Sequence, residues 1–260
     1  NGPGLEGVHV LVVDEAAMIG DRDLALLVEE AGRTKTKLVL VGDPLQLRSV
    51  AAGGSFAHVH EAVDGLTLTE NRRQRREVDQ KALATWRTGA RRSALALWGE
   101  HGLVHATPDA DAAHDQMAAA WWADRRRYGK DQGHDAVERL LMVATTNRDV
   151  EALNERARAA ARQGGLLQGP DVSFTQKSGE ELVLAAGDQV RVRANDYRAR
   201  ASDDPDVLNG YRGLVRQVDP ERGALVHWRR EGRTESAWIA PKALERGDLS
   251  HGYAITIAAA

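Results

Sequence analysis

The chain has 260 residues, enough for one to three compact units with cores of their own. It has no cysteine, which excludes disulfides and thiolate metal sites, and its net charge of −3 differs from the basic balance of most free-standing nucleic-acid binders. No apolar stretch is long enough to span a bilayer and no signal peptide is apparent, so we expect a cytoplasmic protein without a membrane segment.

The first two predicted strands each end in acidic residues. Val8 to Val13 runs into Asp14-Glu15, and Leu38 to Val41 runs into Gly42-Asp43, with a helix predicted between them from Asp21 to Gly32. Short apolar runs rich in β-branched residues are typical of strands buried on both faces of a parallel sheet. Because ligands bind beyond the carboxyl ends of such strands, we expect both acidic clusters at one ligand-binding edge.

The residue types at this edge suit a metal-bound nucleotide. An Asp at a strand end can hold Mg²⁺, and an adjacent Glu can orient and deprotonate the water that attacks a γ-phosphate. Asp14 and Glu15 fit these two catalytic roles, and Asp14 is the predicted metal ligand. Gln46 could hydrogen-bond a phosphate oxygen or the attacking water, with Asp43 beside it as a further nucleotide-binding candidate. An acidic pair after a strand is also a common helix start, so the pair alone does not decide the function.

The order of these segments carries a family resemblance. V-V-D-E, then L-V-L-V-G-D-P-L-Q-L, then L-T-L-T-E-N-R-R-Q resemble motifs II, III and IV of the RecD-like branch of superfamily 1 DNA helicases. The run R-R-Q-R-R-E-V-D-Q-K-A looks most like the helicase region of conjugative relaxases of the TraA/TraI type, and G-Y-A-I-T is similar to the start of motif V. The resemblance implies ATP and Mg²⁺ as cofactors, and Arg73 as the residue that reaches the γ-phosphate.

The second half begins with a predicted buried strand from Leu140 to Ala144 and a helix that ends at Arg162. Thr145, Thr146 and Asn147 lie at the turn between them, where they could hold a backbone phosphate or serve as an ordinary helix N-cap; spacing leaves both interpretations open. Trp121 and Trp122 lie on an earlier predicted helix. We interpret them as core residues in preference to stacking platforms for nucleic acid.

Closely spaced β-prone runs separated by turn residues extend from Leu182 to Leu244 and predict a small barrel. The stretch D-V-L-N-G-Y-R-G-L-V resembles the SH3-like insertion of the second motor domain in these helicases. The resemblance therefore implies an α/β fold of RecA-like P-loop NTPase motor domains, with parallel sheets, flanking helices and an inserted SH3-like β-barrel. The expected divisions are the first motor domain (residues 1–90), the start of the second (91–180), the barrel (181–247) and the return to the second motor domain (248–260).

We therefore expect part of an ATP-dependent single-strand DNA translocase or helicase of conjugative plasmid transfer, with single-stranded DNA and the conjugation machinery as partners. The candidate DNA-binding residues are Thr145, Thr146, Asn147, Asn209, Arg212 and Thr256. The sequence contains no G-x-x-x-x-G-K-[ST] loop and no motif VI, and Ala258-Ala259-Ala260 departs from motif V, so we expect an inactive fragment. The resemblance to RecD-like helicases implies that it is monomeric. Two alternatives stay open: a degenerate RecD-like module that only binds single-stranded DNA, and a helicase of recombination or repair.

Overall fold

The computed structural model describes residues 4–45, 54–129, 133–198 and 205–257. The chain divides into two compact units, Asn1–His105 and Ala106–Ala260. The four-part division expected from the sequence stays a prediction, and Gln46 lies outside the described residues. No helix in the described part of the chain is long and apolar enough to cross a lipid bilayer.

The first unit contains one parallel pair of strands and four helices in its described ranges. In chain order these are β1 (Val10–Val13), a 3₁₀ turn (Ala16–Met18), α1 (Asp21–Thr34), β2 (Lys37–Leu40), α2 (Ser55–Ala62), α3 (Glu77–Arg87) and α4 (Arg91–Glu100). The predicted parallel pairing of the two strands is confirmed, with Val10 opposite Lys37 and Val13 opposite Leu40.

The expectation that β1 is buried on both faces is wrong. Val10 and Val12 are 52% and 61% exposed. The small core of this unit, built on Ala16, Ala17 and Phe56, packs against Val13 and Leu40. Because side chains alternate along a strand, a core on the Val13 side leaves Val10 and Val12 on the open face.

The second unit combines a further parallel pair with a larger antiparallel region. Its elements are α5 (Ala110–Arg125), α6 (Gly133–Arg139), β3 (Met142–Ala144), α7 (Asn147–Gln163), β4 (Gln168–Thr175), β5 (Glu181–Ala186), β6 (Gln189–Val192), β7 (Arg212–Asp219), β8 (Gly223–Arg230), β9 (Arg233–Ile239), α8 (Pro241–Arg246), β10 (Leu249–His251) and β11 (Ala254–Thr256). Strands β3 and β11 pair in parallel although they are distant in sequence, so the whole antiparallel region is inserted between them.

Helices α5 and α7 share a core with this parallel pair. Trp121 is 5% exposed, and its ring meets the ring of Tyr253 edge-on at 5.3 Å. A Cβ at Gly164 would lie 2.1 Å from the Trp122 ring, so only a glycine at this position leaves room for the ring at the end of α7. Trp121 and Trp122 are therefore core residues, as the sequence analysis prefers.

We call the inserted region from β4 to β10 the β module. Its main sheet has five antiparallel strands in the order β10-β6-β7-β8-β9, and β4 and β5 form a separate hairpin. Its core contains Val190, Val226, Trp228, Leu244 and Leu249. The predicted series of short strands is confirmed. No pairing among the described residues closes the sheet into a barrel, so the SH3-like barrel stays a prediction.

Candidate functional site

The carboxyl ends of β1 and β2 lie side by side in the first unit. The Val41 N–H donates to the Val13 carbonyl, and the Ala16 N–H donates to the Val41 carbonyl, each at 2.8 Å. A Cβ at Gly42 would lie 3.0 Å from the Ala17 nitrogen, so a glycine is what permits this close approach. The residues that follow each strand, Asp14-Glu15 and Asp43, therefore share one edge of the sheet.

Glu15 adopts a backbone conformation that is unusual for a residue with a side chain. Its φ is 53° and its ψ is 36°, in the left-handed region, and its N–H donates to Asp14 Oδ1 at 2.9 Å. Such a conformation costs about 1 kcal/mol or more in a non-glycine residue and persists where the surrounding structure holds it. Both carboxylates are exposed. The turn thus places the exposed carboxylates of Asp14 and Glu15 directly beyond the end of β1.

Both carboxylate oxygens of Asp43 accept a hydrogen bond. Oδ1 accepts the Leu45 N–H at 3.0 Å, and Oδ2 accepts a hydrogen bond from Arg87 Nη2 at 2.5 Å. Arg87 is the last residue of α3 and was not a candidate in the sequence analysis. It connects the helix that follows the predicted motif IV to the loop of the predicted motif III.

The donor set at this edge fits the predicted cofactors. Asp14 and Glu15 offer exposed carboxylate oxygens, which are the ligands that Mg²⁺ takes together with water and phosphate, whereas both oxygens of Asp43 already accept hydrogen bonds. Asp14 would hold the ion directly or through water. Arg73 lies in the segment before α3, exposed, with its N–H on Asn71 Oδ1 at 3.2 Å. Among the described residues it makes no hydrogen bond to Asp14 or Glu15, so its nucleotide contact stays a prediction.

A second candidate site is a groove of about 930 Å³ in the second unit. It brings together Asn147, the first residue of α7, and Thr256, the last residue of β11, both predicted to bind DNA. The β module contributes Arg191 and Arg193 to the lining of the groove. Four glutamates also line the groove: Glu151, Glu155, Glu180 and Glu181. The site therefore offers amide, hydroxyl and guanidinium groups, with acidic groups beside them.

Thr145 and Thr146 directly precede the N-terminus of α7, and their side chains differ in role. Thr146 is the N-cap: its hydroxyl accepts the Asp149 N–H at 3.2 Å and contacts Asp149 Oδ2 at 2.7 Å. The hydrogen bond from Thr146, with His114 nearby, holds the pKa of Asp149 below its usual value. An ionised Asp149 would repel a phosphate at this helix end. The N-cap interpretation is the one the structure supports for Thr146, whereas Thr145 is exposed beyond β3.

Asn209 and Arg212 do not line this groove. Asn209 is in a turn, and its N–H donates to Asn195 Oδ1 at 2.7 Å. The Arg212 guanidinium donates to the carbonyl oxygens of Leu140 at 2.9 Å and Gly252 at 3.4 Å, and burial lowers its pKa to about 10. Arg212 therefore ties the start of β7 to the residues before β3 and β11, and its contact with DNA stays a prediction.

We expect Arg212→Ala to lower the free energy of unfolding of the chain by about 2 kcal/mol, the usual cost of losing hydrogen bonds to a charged group. Arg216→Ala, on the exposed side of the same strand, is the matched control and should change it by less than about 0.5 kcal/mol. Urea unfolding of both variants measures the difference. If Arg212→Ala leaves stability unchanged and weakens DNA binding instead, the residue faces the strand as first predicted.

Comparison with known proteins identifies similar chains for the whole sequence and for its first part. A family model described as an AAA domain matches residues 2–109. A probable conjugal transfer protein TraA of Sinorhizobium fredii is 30% identical over 258 residues, and the conjugal transfer protein TraA of Agrobacterium fabrum is 29% identical over 253; each match covers 97% of the chain. The resemblance to RecD-like helicase regions of TraA is thereby confirmed. The AAA match also implies the α/β fold of P-loop NTPases.

The RecD-like relationship is visible in a shorter stretch as well. The RecD subunit of the RecBCD enzyme of Mycolicibacterium smegmatis is 38% identical over 105 residues, which cover 38% of the chain. The chain spans about a fifth of the length of the TraA and RecD relatives it matches, 21% and 19% respectively. The activity of the complete relatives can therefore only be proposed for this chain.

Proposed function

We propose that the chain is part of an ATP-dependent single-strand DNA translocase that acts in conjugative DNA transfer. The observation that carries the proposal is the shared edge where Asp14-Glu15 and Asp43 follow two parallel strands. In an α/β fold this edge is where a ligand binds, and these acids suit a nucleotide with its metal ion. The relatives named as conjugal transfer proteins support the setting.

In this mechanism each acid has a separate task. ATP with Mg²⁺ supplies the phosphoanhydride whose hydrolysis drives movement. Asp14 would hold the metal ion, and Glu15 would orient the attacking water and take its proton at a carboxylate oxygen. Asp43, fixed by Arg87, keeps the neighbouring loop against this edge. Gln46 and Arg73 are the proposed contacts to the γ-phosphate from that loop and from the segment before α3.

The proposed DNA-binding surface is the groove of the second unit. Asn147 and Thr256 would donate hydrogen bonds to sugar oxygens of the strand, and Arg191 and Arg193 would neutralise phosphates. Such contacts do not distinguish bases, so binding should be indifferent to sequence. Glutamates on the same walls limit the number of phosphates that can be held at once.

The extent of the relationship favours conjugative transfer over recombination or repair. Similarity to TraA extends over nearly the whole chain, whereas similarity to RecD is limited to 38% of it. The alternative of a degenerate module that only binds DNA predicts no dependence on Glu15. The retained Asp14-Glu15 pair and its strained turn favour a working motor.

We expect the chain to bind single-stranded oligonucleotides weakly, but more tightly than it binds duplex DNA. Each phosphate neutralised in a single strand contributes about −0.7 to the slope of log K against log salt, so two to four contacts give a slope of roughly −1.5 to −3. Fluorescence anisotropy of a labelled oligonucleotide across a salt series measures the slope.

The Arg193→Ala variant should make this slope shallower by about 0.7. Arg233 is exposed on β9 and does not line the groove, so the Arg233→Ala variant should leave the slope unchanged. A flat response, or a preference for duplex, would contradict the groove assignment.

A further inference from the structure

Asp188 is a charged residue with no exposed surface. It follows Gly187 in the turn between β5 and β6. Its Oδ2 accepts the Ala185 N–H at 2.7 Å, and its Oδ1 accepts the hydroxyl of Tyr253 at 2.7 Å. Arg158 Nε, on α7, donates to both oxygens at 3.1 and 3.2 Å. Both oxygens of the buried carboxylate are thus satisfied within the protein, as a buried charge requires.

The same cluster joins the β module to α7. Arg158 Nη2 also donates to Asp171 on β4 at 2.5 Å, and Arg162 pairs with Asp171 as well. Two arginines on one helix therefore face two carboxylates of the β module, and their formal charges cancel. A Cβ at Gly187 would lie 2.4 Å from the Leu166 carbonyl, so the turn approaches the chain that follows α7 very closely.

The Tyr253 hydroxyl extends this cluster to the groove. Tyr253 directly precedes β11, and the next residue, Ala254, donates its N–H to Asn154 Oδ1 at 2.9 Å. Asn154 is buried on α7. The first residues of β11 are therefore fixed from two sides, by the β module through Asp188 and by α7 through Asn154. Thr256 lies at the other end of this three-residue strand, in the groove.

We propose that Asp188 is a positioning residue for DNA binding. Through Tyr253 it fixes Thr256, and through β6, which begins at the next residue, it fixes Arg191, and both residues line the groove together with Asn147. Strand β11 and the β module thus present one rigid surface to a single strand of DNA. The inference deepens the proposed function and rests on it for the identity of the ligand.

Tyr253→Phe is the conservative test, because it keeps the buried ring and removes only the hydroxyl. Loss of one buried hydrogen bond corresponds to about a five- to tenfold change in an equilibrium constant. We expect the Kd of the chain for a labelled single-stranded oligonucleotide to rise by about that factor. Tyr197→Phe removes an exposed hydroxyl that accepts a hydrogen bond from Asn195, and it should change the Kd by less than about twofold. Circular dichroism at the assay temperature verifies that all variants are folded.

A double-mutant cycle with Thr256→Ala separates positioning from general loss of structure. If Tyr253 acts through Thr256, the Tyr253→Phe change should cost less than about twofold in a chain that already carries Thr256→Ala. Equal costs in both backgrounds would overturn the proposal, since the hydroxyl would then act on binding by another route. An unchanged Kd in Tyr253→Phe would overturn it as well.

Hydrogen exchange gives a measure that does not depend on DNA. The amides of Ala254 to Thr256 should exchange faster in Tyr253→Phe than in the wild type, while those of β8 should not change. Faster exchange in a chain that binds no DNA at all would remove the proposed function and leave the positioning of Thr256 supported. Unchanged exchange would overturn the positioning itself, whatever the affinity for DNA.

Discussion

Glu15→Gln should reduce the kcat of DNA-stimulated ATP hydrolysis about 100- to 10,000-fold in a longer protein that also contains a phosphate-binding loop, the range expected for loss of a general base. Glutamine keeps the size of the side chain and can occupy the same left-handed turn, but it cannot take a proton from the attacking water. Affinity for ATP should stay within about twofold, because the metal ion is assigned to Asp14. Steady-state turnover and nucleotide titration, carried out on the same preparation, measure the two effects separately.

The matched control is Glu29→Gln, which makes the same chemical change on the exposed surface of α1. It should leave both kcat and nucleotide affinity unchanged. A wild-type kcat in Glu15→Gln would remove Glu15 from the mechanism and favour the degenerate DNA-binding module. A large loss of nucleotide affinity would instead make Glu15 a second metal ligand.

The features that sequence predicts well here are those with local causes. The apolar runs before Asp14 and Asp43 predict two parallel strands, since β-branched residues favour extended backbone and the intervening helix provides the crossover. The helix that ends near Arg162 is also predicted from its local pattern, and α7 begins at Asn147, although the sequence left the role of Thr146 open. These signals act over three to six residues, so no tertiary information is needed to detect them.

The features that sequence misses depend on partners far along the chain. Arg87 reaches Asp43 across 44 residues, and Tyr253 reaches Asp188 across 65. Gly187-Asp188 has the composition of an ordinary exposed turn, and nothing local indicates that the turn is buried against α7. The exposure of Val10 and Val12 has the same origin, because burial of a strand face depends on which element covers it.

Arg212 shows how a contact that is distant in sequence can add a second role to a predicted DNA-binding residue. The resemblance of the surrounding N-G-Y-R-G stretch implies a DNA contact, and arginine is the residue type that binds phosphate most readily. In the fold, the same guanidinium satisfies two backbone carbonyls at the junction of the β module with the strands β3 and β11. The sequence around an arginine does not show whether it makes such contacts, because the two carbonyls lie 72 and 40 residues away along the chain.

Asp188→Ala should be the most destabilising single change in the second unit among those considered. It removes the carboxylate that accepts from Arg158, Tyr253 and Ala185, and breaking a buried ion pair in this way costs about 3 to 5 kcal/mol of unfolding free energy. Because Asp171 still pairs with Arg158, we expect a value near the lower limit. Urea unfolding of the chain, followed by tryptophan fluorescence, measures it.

Asp196→Ala is the control for this change. It removes an aspartate that pairs with Arg198 at the surface, with its own side chain 57% exposed, and exposed pairs contribute less than about 1 kcal/mol. The difference between the two variants therefore reports burial and not the loss of a negative charge as such. If Asp188→Ala cost no more than Asp196→Ala, water would have to reach the Arg158 guanidinium in the folded state. The junction of α7 with the β module would then be hydrated and mobile, and it could not hold Thr256 in a fixed place.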